Sequence, residues 1–457
     1  MDMAELFKDE PNFFLLESSL YDPQRGRFSF LGYRPFDVFS SDQADALTVL
    51  KAKYENYYEK DQNSLALFSS GIVGYLSYEH GLKQENIISR KERDIHVPDC
   101  YFGFYDTILT VDHLLKKITI TSTGLPEKNL VLRKKRAQER LDQTAHELSK
   151  LRIFKRRDDR DLQVLDEKDL LCPIRSNFTK ENYLKAVRKI LDHIAVGDVY
   201  QINLAQRFEI NVSALDAQPI ELYKILRRLS PTQFGGFFRA EDFSILSSSP
   251  ERFLSIKNNV IEVRPMKGTR PRGQDASSDQ KFKTEIIQSQ KEKAELLMIT
   301  DLMRSDLGRV CDFGSIKVKE LRTIEEYRTV FQATASIDGR LRAGQDCFDV
   351  LKACFPGGSI TGCPKIRAME IINELEPDQR SIYTGSLGYV SFSGNADFNI
   401  LIRSMLFSKG KIYFHAGSGI VADSDPELEY EETLSKAKAM RLAGEYLFHE
   451  KNILNKT

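Results

Sequence analysis

No stretch of this chain reaches the ~18 consecutive apolar residues that a membrane helix needs, so a membrane-spanning protein is not expected. Excess charge of one sign is missing too. Lys plus Arg and Asp plus Glu number 66 each in 457 residues, a formal net charge of zero. That balance gives no electrostatic reason to expect nucleic acid or an anionic membrane as the main partner. Cysteine is sparse: the six residues at 100, 172, 311, 347, 354 and 363 form no CxxC pair and have no histidine at ligand spacing. This fits a reduced cytosolic interior better than a disulfide framework. The first residues, MDMAELFKDEP, carry neither a basic region nor an apolar run, so no signal peptide is expected. These absences point to a soluble, cytoplasmic globular protein.

A chain of this length has mass for two or three domains, or for one large intertwined unit, and buries a core without metals or disulfides. Residues 12–40 read as short strands, 43–60 as a helix, 65–80 as a glycine-interrupted apolar segment, and 101–120 as a hairpin around Asp112 and His113. From about 127 to 160 the composition shifts to dense mixed charge at helical spacing. Its basic residues are interleaved with acidic ones and lack aromatic partners, so it reads as a solvated helix leading to a linker, not as a nucleic-acid contact. The expected division is therefore an N-terminal domain at 1–150, a linker at 151–172, a second domain at 173–449 and a tail at 450–457. In the second part a helix is predicted at 179–195 with Thr179 as its N-cap. A strand at 199–208, a helix at 219–229 and one long helix from 278 to 307 follow. A glycine-rich loop at 355–364 then opens a helix at 365–375. Strands at 384–393, 398–407 and 411–415 end in a glycine turn, AGSGIV, before a helix at 427–448. Hairpin-like spacing makes the fold class α+β with antiparallel sheets.

The stretch SSSPERFLSIKNNVIEVRPMKGTRPRG (247–273) offers chemistry. Glu251 precedes an alternating strand that ends at Pro265, and Lys267 follows beside Gly268 in what reads as a turn. A lysine in a partly apolar pocket loses solvation of its charge, and the free amine becomes a usable nucleophile or base; alone, the plainer reading is a surface lysine. Two glutamate pairs, Glu292 with Glu295 and Glu429 with Glu432, stand at i, i+3 in predicted helices, so each pair faces one way. Singly, such pairs are usually solvated. Converging without His or Cys, they suit a hard cation, and Mg2+ is the natural choice. Gly417, Gly419 and the glycine loop at 357–362 offer backbone N–H groups to carboxylates. Lys365 and Arg403 add fixed positive charge. Together these features describe a site for a small, multiply anionic acid.

In order along the chain, GDVYQINLAQRF, SSSPERFL, RPMKGTRPRG, DLMRSDLGRVC, FPGGSITGCPKIRAMEIINELEP, GSLGYVSFSG and AGSGIVADSDPELEYEETLSKA resemble the blocks of the chorismate-utilising enzymes. That family includes anthranilate synthase component I, aminodeoxychorismate synthase component I, isochorismate synthase and salicylate synthase. The resemblance implies an anthranilate-synthase-like fold, with two antiparallel β-sheets packed together and helices outside. Lys267 in PMKGTR resembles the aminodeoxychorismate synthase pattern, where anthranilate synthases typically carry alanine. Gln201 stands where the water-using branches carry a lysine. Water needs a general base before it attacks, whereas ammonia is already a competent nucleophile.

What the resemblance implies is amination of chorismate at C4 to 4-amino-4-deoxychorismate, in the route to p-aminobenzoate and folate. Lys267 would attack the ring and Glu251 would protonate the departing hydroxyl. Glu292, Glu295, Glu429 and Glu432 would hold Mg2+, and Thr361, Lys365, Tyr389, Arg403, Gly417, Gly419, Gly268 and Gln201 would meet the substrate. Ammonia would come from a separate glutamine amidotransferase subunit, since no cysteine here has a nucleophile-elbow context, and a separate aminodeoxychorismate lyase would act downstream. The LLES at 15–18 resembles a segment that lines a tryptophan pocket in relatives, which makes Glu17 and Ser18 candidates for one. Gln332 departs from the pattern, because many relatives place there a histidine tied to pyruvate elimination. The alternatives are an anthranilate synthase or bifunctional enzyme, then an isochorismate or salicylate synthase. A non-catalytic protein binding tryptophan or chorismate is the reading from another class, and retention of Glu251, Lys267 and both glutamate pairs weighs against it.

Overall fold

The computed structural model describes residues 2–22, 25–59, 67–151, 172–215, 217–326 and 330–454. The expected linker, apart from its end residues 151 and 172, lies outside the described residues, as do 455–457 of the expected tail. Among the described residues two antiparallel sheets, one of eleven strands and one of ten, dominate the chain. Neither sheet belongs to one half of the sequence. In the first, Phe14–Glu17 pairs with Phe234–Arg239, setting Phe14 opposite Phe238. In the second, Gly71–Leu76 pairs with Ser386–Ser391. The division at about residue 150 is thus not a division of the sheets, and the two parts are one intertwined unit.

The strands alternate, so each sheet has two usable faces. Between the sheets lies an aromatic core to which the first contributes Phe14, Phe30 and Phe238, and the second Tyr75, Tyr105 and Tyr389. On the far side of the first sheet, the helices Pro219–Leu229 and Pro426–Leu454 bury Leu222, Leu226, Met440 and Leu447. Over the second, the helices Ala46–Glu55, Gln290–Gly308 and Cys347–Cys354 bury Leu50, Ile299, Leu307 and Leu351. Each such side chain stabilises the fold by roughly 1.5–3 kcal/mol when fully buried. Among the described residues no helix is long and apolar enough to cross a membrane.

Three local expectations change. The long helix at 278–307 is two, Ala276–Gln288 and Gln290–Gly308, broken at Ser289. Ser289 is extended, and its Oγ accepts the Glu292 N–H. This N-cap competes with helix continuation and places Glu292 in a first turn. The segment after Pro265 is strand and not turn: Met266–Pro271 pairs with Val330–Arg340. AGSGIV is likewise extended, since the strand Lys411–Ile420 runs on through both glycines against Gln201–Asn211. There the strand is paired on one side only, with Gln201–Asn211, because its other neighbour, Ser404–Ser408, reaches no farther than Phe414; that one ladder overrides the glycines' preference for turns. Thr179 does cap the helix Lys180–Ala195, accepting the Asn182 N–H at 3.2 Å.

Candidate active site

One cleft of about 830 Å³ gathers residues from distant parts of the sequence. Lys267 enters it from the strand Met266–Pro271. The register slips between Lys267 and Thr269, and Gly268 there has φ +77°. A bulge of this kind re-aims the neighbouring side chain. Lys267 Nζ lies 3.9 Å from Glu295 Oε2. Burial lowers the pKa of the Lys267 ammonium, against the pull of Glu295.

Glu251 also lines the cleft. It is buried, and its Oε1 accepts the Ser359 hydroxyl at 2.7 Å. Burial raises its pKa to about 7, so near neutrality this carboxyl has a proton to give. The floor is the strand Lys411–Ile420. A Cβ on Gly419 would stand 2.8 Å from Gln201 Nε2 and 3.4 Å from Lys267 Nζ. Only a glycine leaves that floor open beside the amine. Arg403 also lines the cleft, and burial lowers its pKa; a guanidinium short of water gains from an anionic partner.

All four predicted glutamates line the same cleft, Glu292 and Glu295 from the helix Gln290–Gly308, Glu429 and Glu432 from Pro426–Leu454. Each has a basic neighbour. Arg270 donates to Glu292 Oε1 at 2.8 Å, Lys267 approaches Glu295, Lys291 lies 4.0 Å from Glu429, and Lys436 lies 2.6 Å from Glu432.

Comparison with known proteins gives the family. A family model described as chorismate binding enzyme matches residues 14–442. The chain belongs to the chorismate-binding enzymes. Similar proteins include anthranilate synthase component 1 of Aquifex aeolicus (strain VF5), 35% identical over 94% of this chain and 88% of the relative. Aminodeoxychorismate synthase component 1 of Escherichia coli (strain K12) is 39% identical over 81% of this chain and 76% of the relative. Anthranilate synthase component I from Streptococcus pneumoniae TIGR4 has the same fold, with a TM-score of 0.79 at 30% identity over 92% of this chain and 94% of that one. Relatives under both names place this chorismate-binding enzyme in the family without choosing its reaction.

Do the glutamates of this chorismate-binding enzyme fit a divalent cation? Among the described residues no group of three or more His, Cys, Asp or Glu is close enough to hold an ion as it stands. Each of the four carboxylates instead faces a basic neighbour. Yet Glu292 Oε2 and Glu429 Oε2 are buried without a hydrogen-bond partner, a costly state for a carboxylate oxygen. Four oxygen donors, two of them with an unused buried lone pair, suit a hard cation such as Mg2+.

Several expected substrate contacts lie elsewhere. Tyr389 does not line the cleft; its ring stacks on Phe68 at 4.3 Å inside the aromatic core. The Thr361 hydroxyl donates to the Gly357 carbonyl at 2.9 Å and closes its own loop. Lys365 donates to Asp306 Oδ2 at 2.6 Å and to the Cys354 carbonyl at 3.0 Å. Gln201 Nε2 lies on the side of Gly419 toward which a Cβ would point, and its Oε1 is buried without a partner. Glu17 accepts from Tyr223 Oη at 2.8 Å and Arg227 Nε at 2.6 Å, and Ser18 Oγ donates to the Leu20 carbonyl.

Cleft residues missed in the sequence include Lys436, His415 and Ser359. Lys436 donates to the Gly417 carbonyl at 3.0 Å; its signal was its place seven residues after Glu429 and four after Glu432, on one helical face. His415, stacked on Tyr383 with ring centroids 4.9 Å apart, sits two residues before Gly417. Ser359 stood in the quoted glycine loop, with nothing local to link it to Glu251.

Proposed function

We propose that the chain aminates chorismate at C4, releasing water and giving 4-amino-4-deoxychorismate. The observation that carries this reading is Lys267, an amine whose pKa is lowered by burial in the cleft, loosely paired with Glu295 and facing the glycine floor. In the reading, Lys267 Nζ attacks ring C2 as a neutral amine. The two ring double bonds shift, and the C4–O bond breaks. Glu251 gives its proton to that oxygen, which leaves as water. Ammonia then adds at C4, the double bonds shift back and the C2–N bond breaks, freeing the lysine. The Glu251 carboxylate takes up the proton that the new amine sheds. Arg403 and Lys436 meet the substrate's carboxylates. Mg2+ held by Glu295 and Glu432, with Glu292 and Glu429 in support, would supply positive charge to the ring carboxylate.

Gln332 supports a reaction that stops at the aminated ring. It lines the cleft and its amide points to Met266 Sδ at 2.9 Å, so no imidazole stands there to assist loss of pyruvate. Ammonia would be supplied by a separate glutamine amidotransferase subunit, consistent with relatives named component 1 of their synthases. A separate lyase would then release pyruvate. The test is mass spectrometry of products from chorismate, ammonium salt and Mg2+, with and without chelator. Aminodeoxychorismate that depends on the metal is the expected product. Anthranilate fluorescence without an added lyase would favour the anthranilate synthase reading instead.

A further inference from the structure

Two groups in the proposed chemistry, Glu251 and Glu295, come from elements that do not pair with each other, so something must fix their separation. The loop between Gly357 and Thr361 is the candidate. Ser359 ties it to Glu251. Thr361 Oγ1 closes it onto the Gly357 carbonyl, while Asn203 Nδ2 and Arg380 Nη1 both donate to the Ile360 carbonyl at 3.1 Å. Its backbone lies directly on the helix Gln290–Gly308: a Cβ on Gly358 would stand 2.4 Å from Leu302 Cδ2. Farther along that helix comes Asp306. It lies about three turns beyond Glu295, on the same face.

Asp306 is gripped by Lys365, the first residue of the helix Lys365–Leu375. The same ammonium donates to the carbonyl of Cys354, the last residue of the helix Cys347–Cys354, where the helix end favours a cation. One buried side chain therefore joins three helices around the loop.

We propose that Lys365 and Asp306 are positioning residues that hold the Ser359–Glu251 wall at a fixed distance from the helix bearing Glu292 and Glu295. Lys365 then touches no substrate. It acts by keeping the loop seated on Leu302, so that proton donor and metal-facing carboxylates address one ring together. The inference rests on the amination reading only for the turnover used to follow it.

The test compares Lys365→Met, Lys365→Arg and Asp306→Asn in the full chain, by steady-state consumption of chorismate and by amide hydrogen exchange over 290–300 and 355–364. Lys365→Met should lower kcat about ten- to a hundredfold, the scale of a misplaced group, with KM for chorismate changed by less than about twofold. Exchange should speed up in both segments. Lys365→Arg, which keeps the charge and reaches both acceptors, should recover most of the rate and the protection. Asp306→Asn preserves shape and should give the same pattern as Lys365→Met, more weakly; it serves if the methionine variant does not fold. A raised KM with unchanged kcat would place Lys365 on the substrate and overturn the inference. So would unchanged exchange in both segments, or an arginine variant as impaired as the methionine one. If wild type consumes chorismate but forms no aminodeoxychorismate, the amination reading fails while the Lys365 comparison still stands. If it consumes none, the exchange data alone decide.

Discussion

Lys267 and Lys365 both stand in glycine-rich segments and both are shielded from water, yet the fold treats them in opposite ways. Lys365 is held by a carboxylate at 2.6 Å and a carbonyl at 3.0 Å. Lys267 has its ion pair with Glu295 at 3.9 Å, beyond hydrogen-bond reach. Desolvation without a tight partner weakens an ammonium's hold on its proton, whereas desolvation with a tight partner makes a strut. On the proposed chemistry, burial alone does not mark the reactive lysine; the distance to its nearest acceptor does.

The largest expected effect breaks this comparison at its reactive end. Lys267→Ala should lower ammonia-dependent turnover of chorismate by at least about a thousandfold, the range of a lost covalent or acid–base group. Lys267→Arg should not recover it, because a guanidinium stays charged and is no nucleophile, whereas Lys365→Arg should work. Turnover of Lys267→Ala within tenfold of wild type would remove the covalent route.

At the strut end the buried pair Arg380 and Glu376 makes the stronger case. Arg380 donates to both Glu376 oxygens at 2.6 and 2.8 Å and to the Asn203 carbonyl at 2.6 Å. Arg380→Met leaves a buried carboxylate without its cation, and should cost about 3–5 kcal/mol, measured by urea unfolding. A loss below 1 kcal/mol would put Arg380 outside the class of struts.

Much of the arrangement was legible from residue patterns. The helix Lys180–Ala195 declared its cap, and helical spacing within Glu292–Glu295 and Glu429–Glu432 announced that each pair shares a face. What spacing within a helix does not encode is the partner across the cleft. Lys365 and Tyr389 carried motif resemblance but no local sign of which way they face; Asp306 captured one and the aromatic core the other. AGSGIV misled for a related reason. Glycines there leave room beside Gln201 Nε2 and Lys267 Nζ on a paired strand, and local preference alone reads them as a turn. The break at Ser289 was the reverse case, since a serine followed three residues later by glutamate is a recognised helix start, masked by apolar periodicity on both sides.

Glu251 sharpens the comparison through pH. Its pKa is raised by burial from 4.5 to about 7, so the folded state holds this proton more tightly than the unfolded state does. Between pH 4.5 and 7 the folded chain carries the extra proton, and this group's contribution to stability falls as pH rises through that window. Glu251→Gln removes the titration. It should be more stable than wild type above pH 7, by up to ~3 kcal/mol, and lose that advantage near pH 4.5, while turnover drops. Thermal unfolding across that range checks the sign. An advantage that grows toward acid would mean the carboxyl is not held protonated.

The smallest effect concerns the backbone that aims Lys267. Gly268 has φ +77°, and a Cβ there would stand 2.6 Å from Glu292 Oε2. Gly268→Ala should cost about 1–2 kcal/mol for the left-handed conformation, and in addition push the Glu292 carboxylate away from the cleft. Gly419→Ala is the sharper half of the pair. Its Cβ would likewise meet the ends of side chains, Gln201 Nε2 and Lys267 Nζ, but its backbone is not in the left-handed region. Thermal unfolding should therefore register Gly268→Ala more than Gly419→Ala, although both reduce turnover. Equal losses of stability would show that the bulge at Gly268 is not what holds the amine in place. Equal stability to wild type with full activity in Gly419→Ala would show that the floor does not need to be bare.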